Sequence, residues 1–153
     1  KLVGYDPYLP KETADEFGIE MMSIEQLAEV SDVILSHVPL MPSTEKLVGK
    51  NLFDNVKKNP IFINTARGGT VDHEALCNAL ESGAVRAAAL DVVDEEPANF
   101  NSRIFRYDNV IFTPHAAFYS ETALEEVRRR SAENVTHFLA GEGKIEYVVQ
   151  GSR

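Results

Sequence analysis

Two residues in this sequence stand where chemistry would need them. Arg67 follows the apolar run Ile61-Phe62-Ile63 and precedes Gly68-Gly69, in the stretch IFINTARGGTVD. A guanidinium grips a carboxylate through two parallel hydrogen bonds. The glycines admit a ligand close to the backbone, and the helix start that follows attracts anions. The competing reading is a surface arginine beside a helix start. His115 follows Thr113-Pro114 at the end of another apolar run. A lone histidine is more often structural. One at a strand end, sharing a crevice with an arginine and carboxylates, is a candidate for moving a proton near neutral pH.

The remaining polar residues each carry a plainer alternative. Asp6, before Pro7, is either a turn former or a carboxylate for a ribose diol. Asp94-Glu95-Glu96 reads as a solvated loop. Its spacing offers no helical ligand pair, so no metal site is expected. His37 ends a strand and could line a cofactor pocket, whereas His73 and His137 read as helix-surface residues. Cys77 lies within a helix without a CxxC or histidine partner and reads as packing. Gly141-Glu142-Gly143 follows a helix, so it reads as a helix stop and not a phosphate loop.

The elements that would position these residues alternate along the chain. Apolar runs LVGY (2–5), DVILSHV (32–38), IFINTA (61–66), RAAALDVV (86–93) and NVIFTP (109–114) read as strands. Most are apolar throughout, the pattern of strands covered on both faces. Between them lie helix signals: PKETADEFG, SIEQLAEVS with Ser23 as N-cap, GKNLFDNVKK with lysines in its last turn, and DHEALCNALESG with Asp72 as N-cap. A last helix over 120–140 carries Leu124, Val127, Val135, Phe138 and Leu139 on its apolar side. Such alternation predicts an α/β fold with a doubly wound parallel sheet. Ligands of such sheets bind at the carboxyl ends of the strands. Those ends carry Tyr5-Asp6, Val38-Pro39, Thr65-Ala66-Arg67, Asp91 with 94–96, and Thr113-Pro114-His115.

Composition narrows the function. The 153 residues suffice for one domain with a real core. A formal net charge of −9 argues against nucleic acid as a partner. Arg128-Arg129-Arg130 sits among glutamates and reads as a salt-bridged helix face. No stretch has the apolar length of a membrane span. A single cysteine suits a reducing, cytoplasmic compartment.

Taken in order, INTARGGTVDHEAL, AAALDVVDEEP and VIFTPHAAFYSE resemble the nucleotide-binding domain of the D-isomer-specific 2-hydroxyacid dehydrogenases, over about Val3 to Val149. ARGG and PHAAFYSE look closest to the branch near the C-terminal-binding-protein corepressors and their bacterial relatives. The resemblance implies NAD as cofactor and a small 2-oxo or 2-hydroxy acid as substrate, with a homodimeric full-length protein. It implies that Arg67 holds the substrate's carboxylate and carbonyl oxygen. His115 would be the acid–base group and Glu96 its partner, since a neighbouring carboxylate favours a protonated imidazole. Asp6 would bind the adenosine ribose and favour NAD over NADP. Val38, Pro39 and Thr44 match the loop beside the adenosine half, and Thr65, Ala66 and Asp91 match contacts near the nicotinamide.

The family's GxGxxG turn is expected one strand upstream of Asp6, where only five residues precede it. The sequence therefore predicts a Rossmann-like domain incomplete at the N-terminus. It would comprise a partial NAD-binding domain over 1–140 and a C-terminal tail over 141–153, with an upstream substrate domain missing. The isolated chain is expected to be inactive and to bind NAD weakly. The competing reading is an NAD-sensing corepressor-like binding protein.

Overall fold

The computed structural model describes residues 1–146. The last seven residues of the 141–153 tail lie outside the described residues. The chain forms two compact units, Lys1–His115 and the remainder from Ala116. The boundary expected at 140 lies within the second unit.

In the first unit, strands and helices alternate as β1 (Leu2–Gly4), α1 (Lys11–Glu16), β2 (Ile19–Met21), α2 (Ile24–Val30), β3 (Val33–Ser36), α3 (Lys50–Phe53), β4 (Ile61–Asn64), α4 (His73–Glu81), β5 (Ala87–Leu90) and β6 (Val110–Phe112). All strand pairs are parallel. They form two ladders, β1-β2 and β3-β4-β5-β6, and β1 shares no ladder with β3. In the doubly wound order the strand between these two would be the first. β3 then takes the fourth position and β4 its neighbour.

The helix starts follow the sequence signals. Ser23 Oγ accepts from Gln26 N while Gln26 Oε1 accepts from Ser23 N, a reciprocal cap on α2. Asp72 Oδ1 accepts from Ala75 N at the head of α4. Two elements differ from the sequence reading. β2 was not anticipated, because IEM is three residues long and its middle residue is Glu20. It forms because it adds to β1 in register, Val3 opposite Glu20. α3 spans only Lys50–Phe53, so Lys57 and Lys58 lie beyond its last turn. Pro60 disfavours helical geometry in the residue before it, and Lys58 pairs instead with Asp32 at 3.3 Å.

Within the first unit the two faces of the four-stranded sheet differ in depth of burial, although its runs are apolar throughout. Ile34, Phe62, Ala88, Leu90 and Val110 are buried and join α3 and α4 through Leu52, Phe53, Leu76 and Leu80 in one core. Phe53 and Phe62 meet edge to face at 5.4 Å. On the opposite face Val33, Leu35 and Ile111 are exposed. The alternation is thus in burial and not in residue type, and hydrophobicity alone could not disclose it.

The second unit contains α5 (Glu121–Ala140), capped by Ser120 and ended by Gly141 in the left-handed region. Arg129 pairs with Glu133 at 2.8 Å and Arg130 with Glu126 at 2.6 Å, as expected for a salt-bridged face. No helix among the described residues is long and apolar enough to cross a membrane.

Candidate active site

The site is built on the carboxyl ends of β4, β5 and β6. β4 ends in Asn64, which is fully buried. Its side chain turns the chain back on itself: Nδ2 donates to the Arg67 carbonyl at 3.0 Å, and Oδ1 accepts from Ala66 N at 2.9 Å. Thr70 Oγ1 donates to the same Arg67 carbonyl at 2.7 Å. The backbone on either side of Arg67 is thereby fixed, while its guanidinium stays exposed and donates from Nη1 to the Ala66 carbonyl at 2.6 Å. Thr65 is exposed and Ala66 half-buried beside it.

The next residue sets the distance between two loops. A β-carbon on Gly68 would lie 2.0 Å from the Val93 carbonyl oxygen. Only glycine permits this approach, which brings the arginine loop against the segment that follows β5. Gly69 faces Leu40 in the loop after β3, where an added β-carbon would stand 3.2 Å from a Leu40 methyl. That loop holds its own form through Thr44, whose Oγ1 donates to the Pro39 carbonyl at 2.6 Å and accepts from Met41 N at 2.8 Å. Val38 is half-buried and Pro39 exposed.

Asp91 is buried at the end of β5. Its amide donates to the Asn64 carbonyl at 3.0 Å, its Oδ1 accepts from Thr113 Oγ1 at 2.5 Å, and its carbonyl accepts from His115 N at 2.9 Å. One aspartate thus ties three strand ends together. His115 has φ of 52°, in the left-handed region. Its Nδ1 lies 2.8 Å from Glu96 Oε2, with both side chains partly exposed. Asp6 lies at the end of β1, in the other ladder. It is exposed, and its Oδ1 accepts from Tyr8 N at 2.8 Å, so the turn-forming role is present. That bond leaves the second carboxylate oxygen for a ligand hydroxyl.

Sequence reasoning missed Asn64, Thr70 and the contact made by Gly68. A polar residue closing an apolar strand, three positions before an arginine, was the available signal for Asn64. It also misplaced His73. Only a tenth of that side chain is exposed, and Nδ1 lies 3.1 Å from Asp94 Oδ2. Cys77 is buried and packed as expected; burial pushes its thiol above the ordinary cysteine range, and Tyr107 donates to its carbonyl at 3.1 Å. No group of three or more potential metal ligands occurs among the described residues.

Residues 1–117 match the model of the D-isomer specific 2-hydroxyacid dehydrogenase NAD binding domain. A D-3-phosphoglycerate dehydrogenase of Methanocaldococcus jannaschii is 44% identical over 142 residues, 92% of this chain and 27% of that protein. The chloroplastic D-3-phosphoglycerate dehydrogenase 2 of Arabidopsis thaliana is 39% identical over 92% of this chain and 23% of its own length. Among solved structures, D-lactate dehydrogenase of Lactobacillus jensenii with NAD+ superposes with a TM-score of 0.84 at 30% identity, covering 99% of this chain and 48% of that one. The parallel strand–helix alternation and these matches define a Rossmann-like nucleotide-binding domain. The chain belongs to the D-isomer-specific 2-hydroxyacid dehydrogenases, as their NAD-binding domain. It spans about a quarter of the length of the curated relatives it matches.

Proposed function

We propose that the full-length protein is an NAD-dependent oxidoreductase that interconverts a 2-hydroxy acid and its 2-oxo acid. The observation that carries this reading is the His115–Glu96 pair at 2.8 Å, in the same compact unit as Arg67. The residues present suit the cofactor. Asp6 offers a carboxylate at the end of β1, Val38 and Pro39 with Thr44 supply a wall at the end of β3, and Thr65, Ala66 and Asp91 bring backbone and carboxyl groups to the ends of β4 and β5. When bound, NADH supplies the hydride.

The protein's own groups do the rest. Arg67 pairs with the substrate carboxylate and polarises the carbonyl oxygen beside it, which fixes the face of the carbonyl carbon that reacts. His115 points Nδ1 at Glu96, so Nε2 is the nitrogen that gives a proton to the carbonyl oxygen in reduction and takes it back in oxidation. Glu96 orients the ring through its contact with Nδ1. Asn64 and Asp91 act through backbone geometry, holding the arginine loop and the histidine in register.

The same proposal includes a homodimer, supported by the exposed Val127, Val135, Phe138 and Leu139 of α5, and a cytoplasmic location, supported by the single free cysteine. A panel of 2-oxo acids assayed with NADH and the full-length protein tests the activity. Turnover abolished by His115→Ala supports it. NADH binding without turnover of any 2-oxo acid overturns it in favour of an NAD-sensing binding protein.

A further inference from the structure

The acidic run Asp94-Glu95-Glu96 does more than face solvent. Among the described residues, two of its three carboxylates reach outside the loop, and each meets a histidine. Glu96 Oε2 lies 2.8 Å from His115 Nδ1, and Asp94 Oδ2 lies 3.1 Å from His73 Nδ1. The two histidines differ in setting. His115 is partly exposed at the strand ends, whereas His73 is nine-tenths buried at the head of α4, with Nε2 buried and without a hydrogen-bond partner. An imidazole so enclosed has one direction in which to interact, and Asp94 occupies it.

The position of this contact matters. The loop leaves β5 at Asp91, which is anchored to Asn64 and Thr113. Val93 is pressed against Gly68. Beyond Val93 the chain is exposed at Asp94, Glu95, Glu96 and Pro97. Among the described residues, the His73–Asp94 ion pair ties this loop to the head of α4 two residues before Glu96 meets His115. His73 itself follows the arginine loop by only a few residues.

We infer that His73 is a positioning residue for the acid–base pair: its contact with Asp94 sets where Glu96 stands, and couples the loop bearing Arg67 to the loop bearing Glu96. The inference rests on the proposed dehydrogenase reading for its kinetic consequence and on geometry alone for its structural one. His73→Ala loses the contact. His73→Asn keeps a side-chain N–H near the place of Nδ1 and can still donate to Asp94.

The test uses the full-length protein with His73→Ala, His73→Asn, Glu96→Gln and the His73→Ala/Glu96→Gln double variant. His73→Ala lowers kcat about tenfold, with the KM of the 2-oxo acid and the affinity for NADH within about twofold of wild type. His73→Asn restores kcat to within about twofold. In the Glu96→Gln background His73→Ala has almost no further effect, because both changes disable one unit. Independently of turnover, proton NMR follows the downfield Nδ1–H resonance of His115, identified by its loss in His115→Ala. It broadens or vanishes in His73→Ala and returns in His73→Asn. An unchanged resonance, or kcat losses that multiply in the double variant, overturns the inference. A protein that turns over no 2-oxo acid fails the functional proposal, and the resonance still decides the role of His73.

Discussion

Gly68 and Val93 touch backbone to backbone, so closely that a single added carbon would sit 2.0 Å from the Val93 carbonyl oxygen. This contact fixes the spacing between the loop of Arg67 and the loop of Glu96. Gly68→Ala must part the two loops. Displacing a catalytic group by an ångström costs about 10²-fold in rate, so kcat/KM of the full-length protein should fall by at least about that factor. Steady-state kinetics beside a thermal melt will show a loss of activity out of proportion to the loss of stability.

His115→Ala should lower kcat by roughly 10²–10⁴-fold, the range for losing a general acid, while NADH affinity stays nearly unchanged. Fluorescence titration with NADH separates the two quantities. Wild-type turnover in this variant would remove His115 from the mechanism.

Arg67→Lys keeps the charge but loses the two-pronged grip. Both KM and kcat for a 2-oxo acid should worsen, because the same group is proposed to bind the substrate and to orient it. A change confined to KM would mean that the arginine contributes binding alone.

Asp6 works as a turn former, accepting from Tyr8 N, and is proposed to face the ribose. Asp6→Asn retains an acceptor for the turn and removes the charge that opposes a 2′-phosphate. The preference for NADH over NADPH should narrow, with the melting temperature hardly moved. Unaltered preference, measured as the ratio of kcat/KM values, would count against the ribose role.

Asn64→Ala removes two hydrogen bonds from a fully buried side chain. Leaving such groups unpaired costs about 1–3 kcal/mol, which urea denaturation will resolve. The Arg67 loop should loosen as well, so KM for the 2-oxo acid should rise even at temperatures where the variant is fully folded.

Much of this was legible in the sequence because strand ends and helix caps have local signatures. Asp72, Ser23 and Gly141 cap or end helices as their types predict, and Arg67, Glu96 and His115 fall at the ends of recognisable strands. The rest was hidden for physical reasons. β2 is too short to show a period, and its existence depends on β1 offering an edge to pair with. Which residues of the four-stranded sheet are buried most deeply is a property of what packs on them, so Val33 and Ile34 look alike in sequence and differ in exposure. His73 read as a surface residue because its partner, Asp94, is 21 positions away and comes near only after β5 has crossed beside β4.

His115 carries a further consequence in its backbone. At φ of 52° it occupies a region that costs an ordinary residue roughly 1–2 kcal/mol and glycine almost nothing. The residue least strained at this position is therefore not the residue proposed to transfer a proton. Selection for thermal resistance alone would drift toward glycine here and away from activity, and a library screened for both should retain histidine against that pull.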